Sequence, residues 1–335
     1  MRGIDELEER LSRPSSALVA DLSDLDGDIL VLGAGGKLGP SLVRLALRAV
    51  GARRSVIAVS RFSNHAQADG LAAAGAKIIS ADITDEATLD GLPDAANVIF
   101  LVGSKFGSTG REAETWYTNT YLPGRVAERF KASRIVALST GNIYPFTPIG
   151  SGGPVETVSP GPVGEYAMSC LGRERIFSRF AATHATPLAL IRLNYAVEMR
   201  YGVLVDIGRS VLGGQAVDLT MAAVNVIWQG YVNEVILRAL RHATPSPFVL
   251  NLAGPETLSV RQIANAFGAL MDVEPQFTGT EASAALLSNS AKCMRLFGYP
   301  DISPAELIEW TAIWLQAGLP LLNKPTGFQK QDGKF

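Results

Sequence analysis

A short apolar run feeds a glycine loop that opens directly into a helix: Asp28-Ile-Leu-Val-Leu-Gly33-Ala-Gly35-Gly36-Lys37-Leu38-Gly39, then Pro40-Ser-Leu-Val-Arg-Leu-Ala-Leu-Arg-Ala. This order restricts the fold, because a helix N-terminus gathers unpaired N–H groups and the positive end of the helix dipole, where a phosphate is stabilised. Glycines let the backbone approach a pyrophosphate and let helix and strand pack closely. The spacing is Gly33-x-x-Gly36-x-x-Gly39 and not G-x-G-x-x-G, since Leu38 holds the sixth position. Glycines alone also make tight turns; the strand before and the helix after favour dinucleotide binding. Gly33, Gly35, Gly36, Lys37, Leu38 and Gly39 are therefore the first cofactor-binding candidates.

Strands and helices alternate from this loop onward. Apolar runs fall at 28–33, 55–60, 76–80, 97–102, 133–139 and 187–193, with helical patterns at 40–51, 64–74, 112–131 and 164–184. Near-continuous apolar strands between helices predict a parallel sheet covered on both faces, a doubly wound Rossmann-type α/β domain. The expected organisation is a helical extension over 1–27, broken at Pro14, and a dinucleotide-binding domain over 28–195. A smaller α/β substrate lobe is expected over 196–320, with segments of 215–255 returning to the first domain, and a tail over 321–335. The irregular stretch from Pro145 to Val163 reads as a binding loop or a passive surface loop.

Bulk properties exclude several classes. A net charge of −2 gives no footprint for nucleic acid. No apolar run approaches the about 18–20 residues that cross a bilayer, and the start lacks a secretory signal, so the cytoplasm is the expected compartment. Cys170, Cys293 and three scattered histidines have no metal-ligand spacing, so no metal is expected.

The second strand ends in Ser60-Arg61, with no carboxylate before Asp69. A carboxylate there would hold a ribose 2′-hydroxyl, whereas an arginine forks onto a 2′-phosphate. Ser60 and Arg61 therefore favour NADP(H) over NAD(H), unless Arg61 is only a solvated loop charge. Lys37 either attracts the phosphates or points outward. At the end of the third strand, Asp82 and Ile83 suit the adenine amino group and ring face; Asp82 also suits a helix N-cap.

In this order the motifs resemble the extended short-chain dehydrogenase/reductase superfamily, the NAD(P)-dependent sugar epimerases and dehydratases. The likeness covers roughly 28–318 and rests on the glycine loop, Ala81-Asp82-Ile83 and Val98-Ile-Phe-Leu-Val102-Gly103. It continues through Asn119, Ser139-Thr140-Gly-Asn142-Ile-Tyr144, Pro154-Val-Glu156, Tyr166 and Arg192-Leu-Asn194. The resemblance implies an enzyme in which Tyr166 is the acid/base, Thr140 holds the substrate oxygen and Asn119 braces the site. It also implies cofactor contacts at Val102 and Gly103, and substrate contacts at Asn142 and Asn194.

One departure is central. The family lysine four residues after the tyrosine is Cys170 here. An unperturbed tyrosine has a pKa of about 10, and a neutral thiol cannot supply the cation that lowers it. Lys105, after the fourth strand, is the candidate replacement, as a binding or an acid/base group. The rival is a catalytically silent NADP(H)-binding protein; a reactive Cys170 is disfavoured by its place inside a helix. Nucleotide-sugar members carry an arginine that Thr220–Gly230 lacks, leaving Arg200 as the nearest substitute. The expected substrate is thus a small carbohydrate-like alcohol, ketone or sugar acid. The likeness also implies a homodimer formed through 112–131 and 164–184, with Trp116 and Tyr117 as interface anchors or core residues.

Overall fold

A computed structural model describes residues 1–105, 109–324 and 326–334. Seven parallel strands form the central sheet: β1 Ile29–Leu32, β2 Val56–Ser60, β3 Lys77–Ser80, β4 Asn97–Phe100, β5 Arg134–Thr140, β6 Leu188–Leu193 and β7 Phe248–Leu252. Their spatial order is β7-β6-β5-β4-β1-β2-β3. The order reverses between β1 and β4, and ligands bind above the carboxyl ends of strands at such a switch point. Every residue of β1 and β4 is buried, because helices cover both faces and an apolar core lies on each side. The edge strand β3 is short and begins with the exposed Lys77, a device that discourages edge-to-edge pairing.

The helix after the loop, α3 (Gly39–Val50), buries Leu42, Val43, Leu45, Ala46, Ala49 and Val50 and stops at Gly51, whose φ is 56°. The helix of 21 residues at Gly164–His184, α8, runs as the sequence predicts. The predicted 112–131 helix does not. It divides into Glu112–Trp116, a π-turn over Tyr117–Tyr121, and Leu122–Arg129. Pro123 is the cause we assign: it has no N–H for the carbonyl of Asn119. The Arg173 Nε of α8 donates to that carbonyl instead, at 3.3 Å.

Two N-terminal helices, α1 (Ile4–Leu11) and α2 (Ser16–Ser23), pack on α3 and on the Gln229–Arg238 helix. Ser15 caps α2 just after Pro14, accepting from Leu18 N at 3.0 Å. Ion pairs fasten this extension: Arg48 to Glu9 at 2.7 Å, and Arg238 to Asp21 at 2.6 Å. Between 196 and 317 lie helices at Val203–Leu212, Val260–Met271, Ala291–Phe297 and Pro304–Gln316, joined by two-residue strand pairs. The 145–163 stretch is partly built into the fold, since Thr147–Pro148 pairs antiparallel with Ala284–Ala285.

Candidate functional site

The glycine loop forms a cradle that side chains would fill. A Cβ at Gly39 would fall 2.2 Å from the Ala34 carbonyl oxygen, so α3 can approach the loop only as glycine. Gly33 has a φ of 88°, and a Cβ there would meet Val102 at 3.0 Å. No side chain caps the start of α3, which leaves its first N–H groups facing the loop. Cradle and uncapped terminus together fit a dinucleotide pyrophosphate.

Lys37 corrects the outward option. Its Nζ donates to Ala196 O at 2.9 Å and sits 3.9 Å from the centre of the Tyr201 ring. Burial lowers its pKa to about 7 despite the nearby Glu198 carboxylate. A half-charged lysine beneath the loop is ready to gain its proton when an anion arrives.

At the tip of β2, Ser60 lies against the loop: a Cβ at Gly35 would be 2.7 Å from its Oγ. Arg61 is largely exposed and 3.9 Å from Asp82. Asp82 accepts from both the N–H and the hydroxyl of Thr84, at 3.0 and 2.7 Å, which holds its pKa below the usual carboxylate range. It does not cap the next helix; Asp85 does, accepting from Thr88 N at 2.8 Å. The nearly buried Ile83 faces a hollow shared with Tyr117 and Tyr121.

Gly33, Gly36, Lys37, Leu38 and Gly39 line one side of a cleft of about 270 Å³, with Lys105, Thr140, Asn142 and Asn194 on its other walls. Thr140, at the end of β5, accepts from Asn142 N and donates to Asn142 Oδ1, both at 3.2 Å. Asn194 reaches Asn225 and Leu286 O, each at 3.4 Å. Tyr195 also lines the cleft, in the left-handed region with φ 49°, strain of the kind that accumulates at functional sites.

Tyr166 stands behind this lining. Its phenol hydrogen-bonds to the Thr140 hydroxyl and the Cys170 thiol, and burial pushes its pKa well above the ordinary tyrosine value. Lys105 Nζ lies 5.8 Å from the centre of the Tyr166 ring. Its charge is felt at Cys170, and burial lowers its own pKa to about 8. Lys105 thus converges from the β4 loop on the place where the sequence lacks a lysine.

A second cation there escaped sequence reasoning. Arg173 is buried, donates to Leu138 O at 2.7 Å and to Asn119 Oδ1 at 2.8 Å, and acts against the high pKa of Tyr166. Its spacing from Tyr166, seven residues along α8, was the only signal available: both belong to one helical face. Gly103 makes room for it, since a Cβ there would lie 3.0 Å from the guanidinium.

Two expected positions lie outside the lining of the cleft. Asn119 is fully buried and does not line the cleft. Its side chain accepts from Ser104 N and Arg173, and donates to Ser104 O and Ser169 Oγ, at 2.8–3.0 Å. It is a positioning residue that ties the β4 loop to α8. Arg200 is also outside the lining, held by Glu8 at 2.7 Å and Glu198 at 3.1 Å. Trp228 is buried edge-on against Trp310 in the core.

A doubly wound sheet with a phosphate cradle at its switch point defines a dinucleotide-binding α/β protein. A model of the NAD dependent epimerase/dehydratase family matches residues 29–197, half of the chain, and the chain belongs to that family of enzymes. Similar solved structures include the UDP-glucose 4-epimerase of Thermotoga maritima bound to UDP-glucose, at 19% identity and TM-score 0.71, covering 87% of this chain and 99% of that one. They also include the UDP-glucuronic acid 4-epimerase of Bacillus cereus bound to UDP-glucuronic acid and NAD, at 16% identity and TM-score 0.73, with the same coverage. A third is MoeE5 bound to UDP-glucuronic acid and NAD, at 20% identity and TM-score 0.71, covering 88% and 100%. At these identities the likeness is one of fold. No curated protein matches the sequence significantly. Among the described residues, no helix is long and apolar enough to cross a membrane, and no cluster of three His, Cys, Asp or Glu could hold a metal.

Proposed function

We propose that this protein is an NAD(P)-dependent oxidoreductase or epimerase acting on a carbohydrate-like alcohol or ketone. The observation that carries the reading is that Thr140 and Lys105 line the same cleft as the phosphate cradle, with Tyr166 directly behind them. A bound nicotinamide supplies the two-electron chemistry. The chain supplies the rest. Gly33, Gly36, Gly39 and Lys37 hold the diphosphate, and Thr140 holds the substrate oxygen. Tyr166 exchanges the proton of that oxygen along the Thr140 hydroxyl, to which it is hydrogen-bonded. Burial keeps the phenol protonated, which suits donation to a carbonyl; Lys105 and Arg173 provide the positive charge that favours its loss in the reverse direction.

Ser60 and Arg61 support NADP(H) over NAD(H), because the β2 tip offers a guanidinium and no carboxylate. We also propose a homodimer through the 112–131 and 164–184 segments, where Trp116 and Tyr117, and with them Tyr121 and Met168, are exposed on elements that pack together; sedimentation of a monomer alone would refute it.

A second reading, dinucleotide binding without turnover, draws on Tyr166 lying behind the cleft lining and on Cys170 in the lysine position. A panel of hydroxy and keto sugars, followed by nicotinamide absorbance and by NMR of sugar stereochemistry, separates the two. Turnover that falls about 10²-fold or more in Lys105→Met supports the enzyme; tight dinucleotide binding without turnover on any member supports the rival.

A further inference from the structure

Arg173 carries its charge into the protein without a counter-charge. It is only 5% exposed, and three oxygens hold its guanidinium. Leu138 O accepts from Nη1 at 2.7 Å, Asn119 Oδ1 from Nη2 at 2.8 Å, and Asn119 O from Nε at 3.3 Å. All three acceptors are neutral. Among the described residues, no carboxylate forms an ion pair with Arg173. The next residue on α8, Glu174, is turned to Arg192 at 2.8 Å. On the lobe side, Glu198 is held by Arg200 at 3.1 Å and Asp206 accepts both donors of Thr326. A charge buried among neutral acceptors is costly, so its place in the fold is informative.

The guanidinium lies under the floor of the cleft, between the ends of β4 and β5. Its acceptor Leu138 lines the cleft and stands two residues before Thr140 on β5. Just past β4, a Cβ at Gly103 would meet the guanidinium at 3.0 Å. The ring of Phe100, at the end of β4, is centred 5.6 Å from it. Away from water, a fixed charge acts on its surroundings more strongly than it does at the surface.

The two forms of a nicotinamide differ by one positive charge: the oxidised ring is a cation and the reduced ring is neutral. Hydride transfer at a carbon whose oxygen sits at Thr140 brings the ring to within about 3–3.5 Å of that carbon, and so over the same floor. A cation beneath it raises the energy of the oxidised form and leaves the reduced form nearly unaffected.

We propose that Arg173 biases the site toward the reduced dinucleotide, and that the protein is a carbonyl reductase and not an epimerase. This deepens the proposed function and rests on it for the position of the ring. In the reduction a hydride, with its electron pair, passes from the reduced ring to the carbonyl carbon. The C=O π pair moves onto oxygen, which takes the phenol proton of Tyr166 through Thr140. An alcohol and the oxidised dinucleotide result, and water reprotonates the phenolate. Burial already keeps that phenol protonated, as this direction requires. An epimerase starts from the oxidised dinucleotide, the form that Arg173 opposes.

Equilibrium titration of the full-length protein with NADPH, NADP⁺, NADH and NAD⁺ tests the bias without requiring turnover. Within the pair that binds more tightly, the reduced form binds at least about tenfold better than the oxidised, which raises the potential of the bound couple by about 30 mV. Arg173→Gln brings the two affinities together, and Arg173→Lys keeps them apart. Asn119→Asp sets a carboxylate against the guanidinium with the arginine in place, and also closes the gap, so the bias is readable even where Arg173→Gln does not fold. A purely structural role for Arg173 would weaken both forms alike and leave their ratio unchanged, an outcome that overturns the proposal. Equal affinities in wild type, or tighter binding of the oxidised form, overturn it too and leave dinucleotide binding standing. Binding of neither form overturns the proposed function as well.

Discussion

Around Tyr166, burial and charge act in opposite directions, and burial wins in the unliganded protein. The same holds for Lys37, whose pKa of about 7 leaves it mostly neutral near pH 8. An anion at the glycine loop raises that pKa again, so dinucleotide binding near pH 8 takes up close to one proton per site. Near pH 6 the lysine is already charged and uptake vanishes. Affinity therefore falls as pH rises through 7. Calorimetry in buffers of different ionisation enthalpy reads the proton count; zero uptake at both pH values rejects the role of Lys37. For stability the sign is opposite. The unfolded lysine titrates near 10.5, the folded one near 7, so between these values the unfolded state holds more protons and stability rises with pH. Of these residues, Lys105 was legible because a lysine stood just past a strand end. Arg173 was not: its partners, Leu138 O and Asn119, come from elements remote in sequence. The inward turn of Lys37 was equally hidden, since its acceptor, Ala196 O, lies across the cleft.

At the level of elements, the glycine loop makes the firmest demand. Gly39→Ala drives a methyl group into the Ala34 carbonyl, 2.2 Å away, and either α3 or the loop must move. Overpacking of this kind costs about 1–3 kcal/mol. We expect a lower unfolding midpoint together with dinucleotide affinity reduced by at least about tenfold, measured by thermal denaturation and by quenching of protein fluorescence. An unchanged affinity would place the diphosphate elsewhere. The β2 tip makes a separate demand: Arg61→Ala weakens NADPH about 10- to 100-fold and leaves NADH unaffected, since one charge-assisted fork is worth about 1.5–3 kcal/mol. Equal losses for both dinucleotides would reject the NADP(H) preference. The parallel strands and α8 were readable from apolar runs and helical spacing, because burial on both faces writes itself into composition. The break at Tyr117–Tyr121 was not, although Pro123 was visible. Proline is tolerated in the first turn of a helix, so its presence alone does not say whether a helix continues or restarts.

On the scale of the whole molecule, segments remote in sequence meet near the cleft. The N-terminal extension contributes Glu8, which holds Arg200, and the C-terminal segment 326–334 contributes Thr326, which engages Asp206 and Lys105. Neither role was readable. The last stretch, Asn323-Lys-Pro-Thr-Gly-Phe-Gln-Lys-Gln-Asp-Gly-Lys, has no periodicity, and a segment held by backbone and side-chain hydrogen bonds leaves no apolar pattern to detect. The central proposal is that Tyr166 governs the proton of a substrate oxygen held at Thr140. The most direct measurement is an NMR time course of the sugar panel with dinucleotide-loaded wild type and Tyr166→Phe. We expect turnover by wild type and a loss of about 10²–10⁴-fold in the variant, with dinucleotide affinity unchanged. A variant that turns over at the wild-type rate would contradict it.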